Sequence, residues 1–356
     1  MNIIINLLLF IIILGIIVFV HEFGHFIFAK LTGVYVYEFS IGMGPVIYKH
    51  KPKKSETEYS IRAIPIGGFC SLAGEDVEND DKKVPKKRKL QAKTAWQRFL
   101  IMFMGPGFNF LLAFIVLFFI GLVWGAPITT PKISSVERGY PAYSVGLDKN
   151  DLILEINGHK IKTMDDVSLY LTLADKNEEV KIKVEKPSGL KHVYRLKAKK
   201  VKEKVNGKKQ TVYRYGIGLK TTKEYGLGKA IKYVFVKSGS LFKQMFVTVG
   251  YLFTGRLSLG QLSGPVGIYS IVGEQAKSGI SSLLYLLAYL SINVGFLNLI
   301  PLPAFDGGHI LFIIIEKIKG KPVDPGLENK IHTIGLMLLM LLMVVITFTD
   351  IIKLFN

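Results

Sequence analysis

Met1 to Val20 contain no ionisable side chain, and three further stretches, about Phe99–Trp124, Ser282–Leu302 and Ile331–Ile352, are nearly as free of charge. A bilayer core of ~30 Å is crossed by about 20 helical residues, and only helices or closed barrels satisfy every backbone group inside it. Four such stretches, separated by charged segments, predict a polytopic α-helical membrane protein with extramembrane parts. Hydrophobic residues make up 49% of the chain, gathered into runs rather than scattered. The first stretch reads as a retained helix rather than a signal peptide. Met1 to Phe10 carry no Lys or Arg, and no small-residue cleavage pattern follows.

The net charge is +19 and the pI about 9.7. Such a balance can mark a nucleic-acid binder, but the lysine runs have no interleaved aromatics and no nucleic-acid motif, so no nucleic-acid partner is expected. The charge is read instead as loop retention at the cytoplasmic face and attraction to anionic lipid. The lysines and arginines before the second span place that loop in the cytosol. The first span then enters from outside, and the part between the second and third spans is extracytoplasmic. Cys70 is the sole cysteine. No intramolecular disulfide can form, and any zinc site must be built from histidines and carboxylates.

The expected organisation runs as follows. Residues 1–30 are the first span. Residues 31–98 are a cytoplasmic-side, membrane-associated β region followed by a charged linker, 76–93. Residues 99–126 are the second span, in which MGPGFNF (104–110) predicts a kink or an unwound turn at Pro106. Residues 127–222 are a separate α+β unit, with strands at ISSV, DLILEING, KIKVEK and HVYRLKAK and a helix at TMDDVSLYLTLA. Residues 223–280 hold one or two amphipathic helices in the interface, because Lys229, Lys232, Lys237 and Lys243 interrupt an otherwise apolar run. Residues 281–356 hold the third and fourth spans.

Chemistry concentrates at two places. In HEFGH, His21 and His25 stand one helical turn apart, so both imidazoles can reach one cation. Glu22, beside a ligand, can exchange a proton with water without itself holding the metal. Ionisable groups inside a spanning helix cost a few kcal/mol and mark function by default. Two histidines leave a catalytic zinc one ligand short. NLIPLPAFDGGHI offers Asp306 as the third, with His309 as a rival. Pro301 and Pro303 remove donors, and Gly307 and Gly308 permit unusual backbone angles, so an unwound segment is expected there. Asn298 lies just upstream.

HEFGH near the end of the first span, followed far downstream by N-x-x-P-x-P-x-x-D-G-G filled by Asn298, Pro301, Pro303, Asp306, Gly307 and Gly308, resembles the site-2 protease family. The likeness is to the bacterial branch of these intramembrane zinc metalloproteases. FSIGMGP (39–45), PIGGFCSLAGE (65–75), MGPGFNF and SGPVGI (263–268) match family segments in order. The resemblance implies one Zn²⁺ per chain, held by His21, His25 and Asp306, with Glu22 as the general base. It implies substrate contacts from Asn298, with Asn109 in support, and from a β element around Gly67 and Gly68 that takes an unwound substrate as an added strand. GYPAYSVGLDKNDLILEINGHKI is similar to a single PDZ domain, with Asn150 where glycine is usual. Its peptide-binding loop would be Tyr215, Gly216, Ile217 and Gly218, taking peptide C-termini or serving as a size filter.

The implied activity is cleavage of the transmembrane segment of single-pass proteins, such as anti-sigma factors or remnant signal peptides. The implied setting is a bacterial cell membrane, with the site near the cytoplasmic side and the PDZ-like domain outside. A metal transporter shares buried His and Asp but shows internal repeats, and none is visible here. An inactive PDZ-bearing scaffold would not need an intact HExxH.

Overall fold

The computed structural model describes residues 3–75, 84–205, 208–257, 260 and 262–355. The chain forms two compact units, one of residues up to 120 with those from 258 onward, the other of residues 121–257.

Among the described residues, four helices are long and apolar enough to cross a membrane. They are α1 (Ile3–Leu31), α2 (Ala95–Val123), α7 (Ile280–Leu299) and α9 (Pro325–Phe355). Their outward faces stay apolar: Leu8, Ile12, Ile115, Leu338 and Leu341 are all exposed. Water would penalise that surface by about 25 cal/mol per Å², whereas lipid does not. The chain is therefore a polytopic membrane protein.

Two shorter helices complete this set. The α6 helix (Pro265–Lys277) packs on α1, with Val272 buried beside Phe10, Ile13 and Ile17. Its first turn donates Gly264 and Gly267 N–H to Asp350 of α9, at 2.7 and 2.9 Å. A buried carboxylate in a spanning helix is thus satisfied by a helix N-terminus. The α8 helix (Asp306–Lys319) follows α7 after a non-helical turn.

Between α1 and α2 lies a curled sheet of β1 (Val36–His50) and β2 (Glu58–Leu72). The first half of β1 pairs with 68–72, Phe39 opposite Cys70 and Ile41 opposite Gly68, and also stands beside 58–61. Val34, Val36, Phe39 and Leu72 pack on Ala29 of α1 and on Ile101 and Met102 of α2.

The charged stretch 76–93 departs from a simple linker. Residues 76–83 lie outside the described set, but Lys86–Arg88 and Leu90–Ala92 form short 3₁₀ turns. Leu90 is buried, its N–H donates to Ala73 at 2.7 Å, and the Arg88 carbonyl accepts from Tyr35 at 2.9 Å. Glu56 binds Arg88 at 2.6 Å and Lys30 at 2.7 Å. The Arg88 guanidinium holds the Glu56 carboxyl below its ordinary range.

A second departure concerns Pro106. The α2 helix stays helical through it rather than unwinding, and the adjacent glycines serve a different purpose, described below.

The second unit is built on a four-stranded antiparallel sheet in the order β6 (His159–Lys160), β5 (Leu152–Ile156), β7 (Glu179–Glu185), β8 (Lys191–Lys197). Three two-stranded pairs join it: β3 (Ala126–Pro127) with β12 (Lys223–Glu224), β4 (Ser135–Val136) with β11 (Ile217–Gly218), and β9 (Lys199–Val205) with β10 (Lys208–Arg214). The alternating Val180, Ile182 and Val184 of β7 bury against Ile153 and Ile156 of β5 and Val167 of α4 (Met164–Leu173). A short α3 (Pro141–Ser144) adds Ala142. Asn150 adopts φ +74°, the left-handed angle glycine would supply, which Asn tolerates. Asp151 is fully buried and paired with Lys186 at 2.9 Å.

Within 223–280 the lysine-bearing run forms one helix, α5 (Leu227–Phe253), which docks on α4, while α6 belongs to the first unit. Lys237 binds both oxygens of Asp165 at 2.8 Å, Lys243 binds Asp166 at 2.8 Å, and Ser240 meets Thr163 at 3.0 Å. Lys229 pairs with Glu224 at 2.8 Å, so three of the four lysines that interrupt this apolar run are engaged by acidic residues of the same unit.

Candidate metal centre

Three elements of the first unit converge on one point. The HEFGH segment is continuous helix within α1, so His21 and His25 lie on one face, both buried. Asp306 is the first residue of α8, where the helix N-terminus favours a carboxylate. His21 Nε2 lies 3.3 Å from His25 Nε2 and 3.2 Å from Asp306 Oδ2, and His25 Nε2 lies 3.4 Å from Asp306 Oδ1.

These spacings test the fit to a cation. Ligand atoms ~2.0–2.2 Å from a tetrahedral zinc stand about 3.3–3.4 Å from one another. The second contacts decide which nitrogens are available. His25 Nδ1 is 2.8 Å from the Ile101 carbonyl, which can only accept, so the ring proton sits on Nδ1 and the Nε2 lone pair faces His21. The His21 Nδ1 faces the Asn109 side-chain amide at 3.3 Å. Asn109 is fully buried and its Nδ2 makes that contact; amide oxygen and nitrogen exchange by a flip, so an imidazole that gives Nε2 to a cation would donate its Nδ1 proton to Asn109 Oδ1. Two imidazole lone pairs and a buried carboxylate oxygen without a hydrogen bond then face one another. A divalent cation satisfies that arrangement, and the His₂Asp donor set suits zinc.

Close packing makes the convergence feasible. A Cβ on Gly24 would come within 2.1 Å of the Met104 carbonyl, and one on Gly105 within 2.1 Å of His25 Nε2. The glycine of MGPG is therefore required where α1 and α2 cross. A Cβ on Gly295 would meet Phe110 at 2.7 Å and the Pro106 carbonyl at 3.0 Å, so α7 also packs closely on α2. Ser291 Oγ donates to the Asn109 carbonyl at 2.8 Å.

The proline motif behaves partly as its residues suggest. The α7 helix ends at Leu299, and residues 300–305 are non-helical. Gly307 and Gly308, however, are helical. Their role is space: Cβ atoms there would lie 2.3 Å from the Ile300 carbonyl and 2.6 Å from the Leu302 carbonyl. The residue with the unusual angle is Ala304, at φ +75°.

Other candidates fall in varied places. His309 does not join the pair on α1. Its Nδ1 meets Glu328 at 3.1 Å. Glu22 is part-buried and, among the described residues, forms no hydrogen bond or ion pair. Gly68 adjoins it, since a Cβ there would touch Glu22 Cγ at 3.4 Å. Gly67 has φ +93° and lies against Met43. Asn298 Nδ2 donates back to Val294 at 3.0 Å. In the second unit, Tyr215 is buried and Gly216 has φ +80°, with no room for a Cβ beside Tyr140. Ile217 and Gly218 pair with Val136 and Ser135.

Sequence reading missed Gly24, Gly105, Ser291 and the Ile101 carbonyl. A backbone acceptor has no signature, whereas a glycine inside HExxH was a usable signal.

A family model described as peptidase family M50 matches residues 9–342. The chain is 38% identical over 336 residues to a Clostridium perfringens protein named as a zinc metalloprotease, covering 94% of this chain and 95% of that one. It is 32% identical over 422 residues to the regulator of sigma-W protease RasP of Bacillus subtilis, covering 97% and 98%.

Proposed function

The chain belongs to peptidase family M50, the site-2 protease family of zinc metalloproteases, and we propose that it hydrolyses a peptide bond within the transmembrane segment of single-pass membrane proteins. The observation that carries this reading is the three-point set of His21, His25 and Asp306 among membrane-spanning helices, with Glu22 on the adjoining turn and without a hydrogen bond or ion pair among the described residues.

His21, His25 and Asp306 hold the zinc. When bound, it supplies Lewis acidity toward water and the scissile carbonyl. Glu22 takes a proton from the attacking water and delivers it to the departing amine. The Ile101 carbonyl and Asn109 keep the histidine protons on Nδ1. Substrate binds extended along the edge of 68–72. That strand pairs with 36–41 on one side, no second strand flanks it among the described residues, and Gly68 brings it against Glu22. Added-strand binding opens a helical substrate and presents its backbone for attack. Asn298, at the end of α7, steadies the scissile peptide.

Residues 127–222 act as a PDZ-like domain, supported by the capped α4 helix, the β5 sequence and the loop 215–218. The domain stands outside the cell membrane and takes peptide C-termini or filters substrates by size, and the metal centre opens toward the cytosol, supported by the basic stretch 82–93. The relative's name, a regulator of sigma-W protease, supports an anti-sigma factor as substrate.

Co-expression with a tagged single-pass substrate tests the reading. Glu22→Gln should retain zinc while cleavage falls at least about a thousandfold, the scale of a lost general base together with its electrostatic contribution. Equal cleavage by both proteins would remove Glu22 from its role.

A further inference from the structure

A second cluster in the first unit, His309, Glu328 and His332, has ligand atoms within 4.8 Å of one another. Glu328 and His332 are one turn apart on α9, and His309 comes from α8. The composition suggests another metal site, but the hydrogen bonding assigns a different role. His332 Nδ1 accepts from the Ala304 N–H at 3.2 Å. A neutral imidazole accepting at Nδ1 carries its proton on Nε2, so neither nitrogen keeps a lone pair for a cation. His309 is committed to Glu328, and its ring stacks on that of His332 at 3.8 Å and 14°.

Ala304 is the hinge of the turn that delivers Asp306. A non-glycine residue at φ +75° persists only where its surroundings hold it. Those surroundings are α9. Gly335 lets Pro303 lie directly on the helix, because a Cβ there would come within 2.4 Å of Pro303 Cβ. Gly308 leaves room for His332, whose Cε1 would be 3.0 Å from an added Cβ.

We propose that His332 is a positioning residue: its Nδ1 holds the Ala304 amide and so fixes the turn from which Asp306 reaches the His21–His25 pair. This rests on Asp306 being a zinc ligand.

The test uses the full chain, purified and zinc-loaded. Zinc affinity is measured by competition with a chelator, zinc per chain by elemental analysis, and kcat and KM on the single-pass substrate. His332→Leu should bind zinc about tenfold more weakly, near the low end for lost outer partners of a metal site, and lower kcat with little change in KM. His332→Asn places an acceptor oxygen where Nδ1 stood and should restore both. His332→Gln, polar but with its oxygen one bond farther out, should not. If the Leu variant fails to accumulate, the Asn–Gln comparison carries the test. Unchanged affinity and kcat in every variant would overturn the proposal, as would Asn no better than Gln. Two zinc equivalents falling to one in the His332 variants would make His332 a ligand and overturn it as well. Asp306→Ala in parallel reports on the ligand reading separately, since retained zinc there would sink that reading whatever His332 does.

Discussion

Gly105 carries a constraint usually looked for in charged residues. A methyl group at this position would sit 2.1 Å from His25 Nε2, the nitrogen free to face a cation. Gly105→Ala should therefore lower zinc affinity at least about tenfold and abolish cleavage, because the ring or the helix must move. Gly107→Ala is the internal control: its nearest neighbour is the flexible end of Met104, at 3.3 Å. Zinc per chain in the two variants, purified in parallel, checks the contrast, and equal loss in both would refute it. At this scale the sequence reveals what depends on local periodicity. His21 and His25 share a face because helices repeat every 3.6 residues. The need for Gly24 and Gly105 arises from the crossing of two helices distant in sequence; the glycine inside HExxH hints at a close approach, but nothing local names the partner helix. The same holds for Gly307 and Gly308, where sequence reasoning expected special angles and the structure uses the missing side chains.

Asp166 shows how an element is held from both ends of a long-range contact. It completes a capping box with Thr163 at the start of α4, accepts the Lys162 N–H at 2.8 Å, and pairs with Lys243 of α5. Burial opposes its charge, yet Lys243 and the two backbone donors hold the carboxyl below its ordinary value of 3.8. A depressed carboxylate pKa contributes stability above the unfolded value and loses it as pH falls through the folded one. Asp166→Ala should cost about 2 kcal/mol near neutral pH, summing a lost cap and a partly buried pair. The difference from wild type should shrink below about pH 3.8. Chemical denaturation of both proteins across that range measures it, and a pH-independent difference would assign the effect to packing. The α4 helix and strands β5, β7 and β8 were legible because apolar residues recur at the helical or strand period. The β9–β10 hairpin was not: KKVKEKV reads as a solvated charge run, and its pairing partner supplies the order.

The two units have separate cores. Ile133, Ile153, Ile182 and Leu196 pack within residues 121–257, while Val36, Phe39, Ile101 and Met102 pack among the remainder. Sequence reading ended the middle domain at 222, because the apolar run after it resembles a membrane-surface helix. The Lys237–Asp165 and Lys243–Asp166 pairs instead group α5 with the preceding sheet, a partnership that no local window reveals. The proposed zinc ligands all belong to the first unit, so metal should stabilise that unit specifically. A ligand at a hundred times its dissociation constant adds about 2.7 kcal/mol to the state that binds it. The chain has two tryptophans, Trp96 in the first unit and Trp124 in the second. Thermal unfolding followed by fluorescence can therefore be assigned. In Trp124→Phe, a zinc chelator should lower the apparent midpoint reported by Trp96 by several degrees. In Trp96→Phe, the midpoint reported by Trp124 should stay in place. Equal shifts would mean that the units unfold as one cooperative body, and no shift in either would detach the metal from the stability of His21, His25 and Asp306.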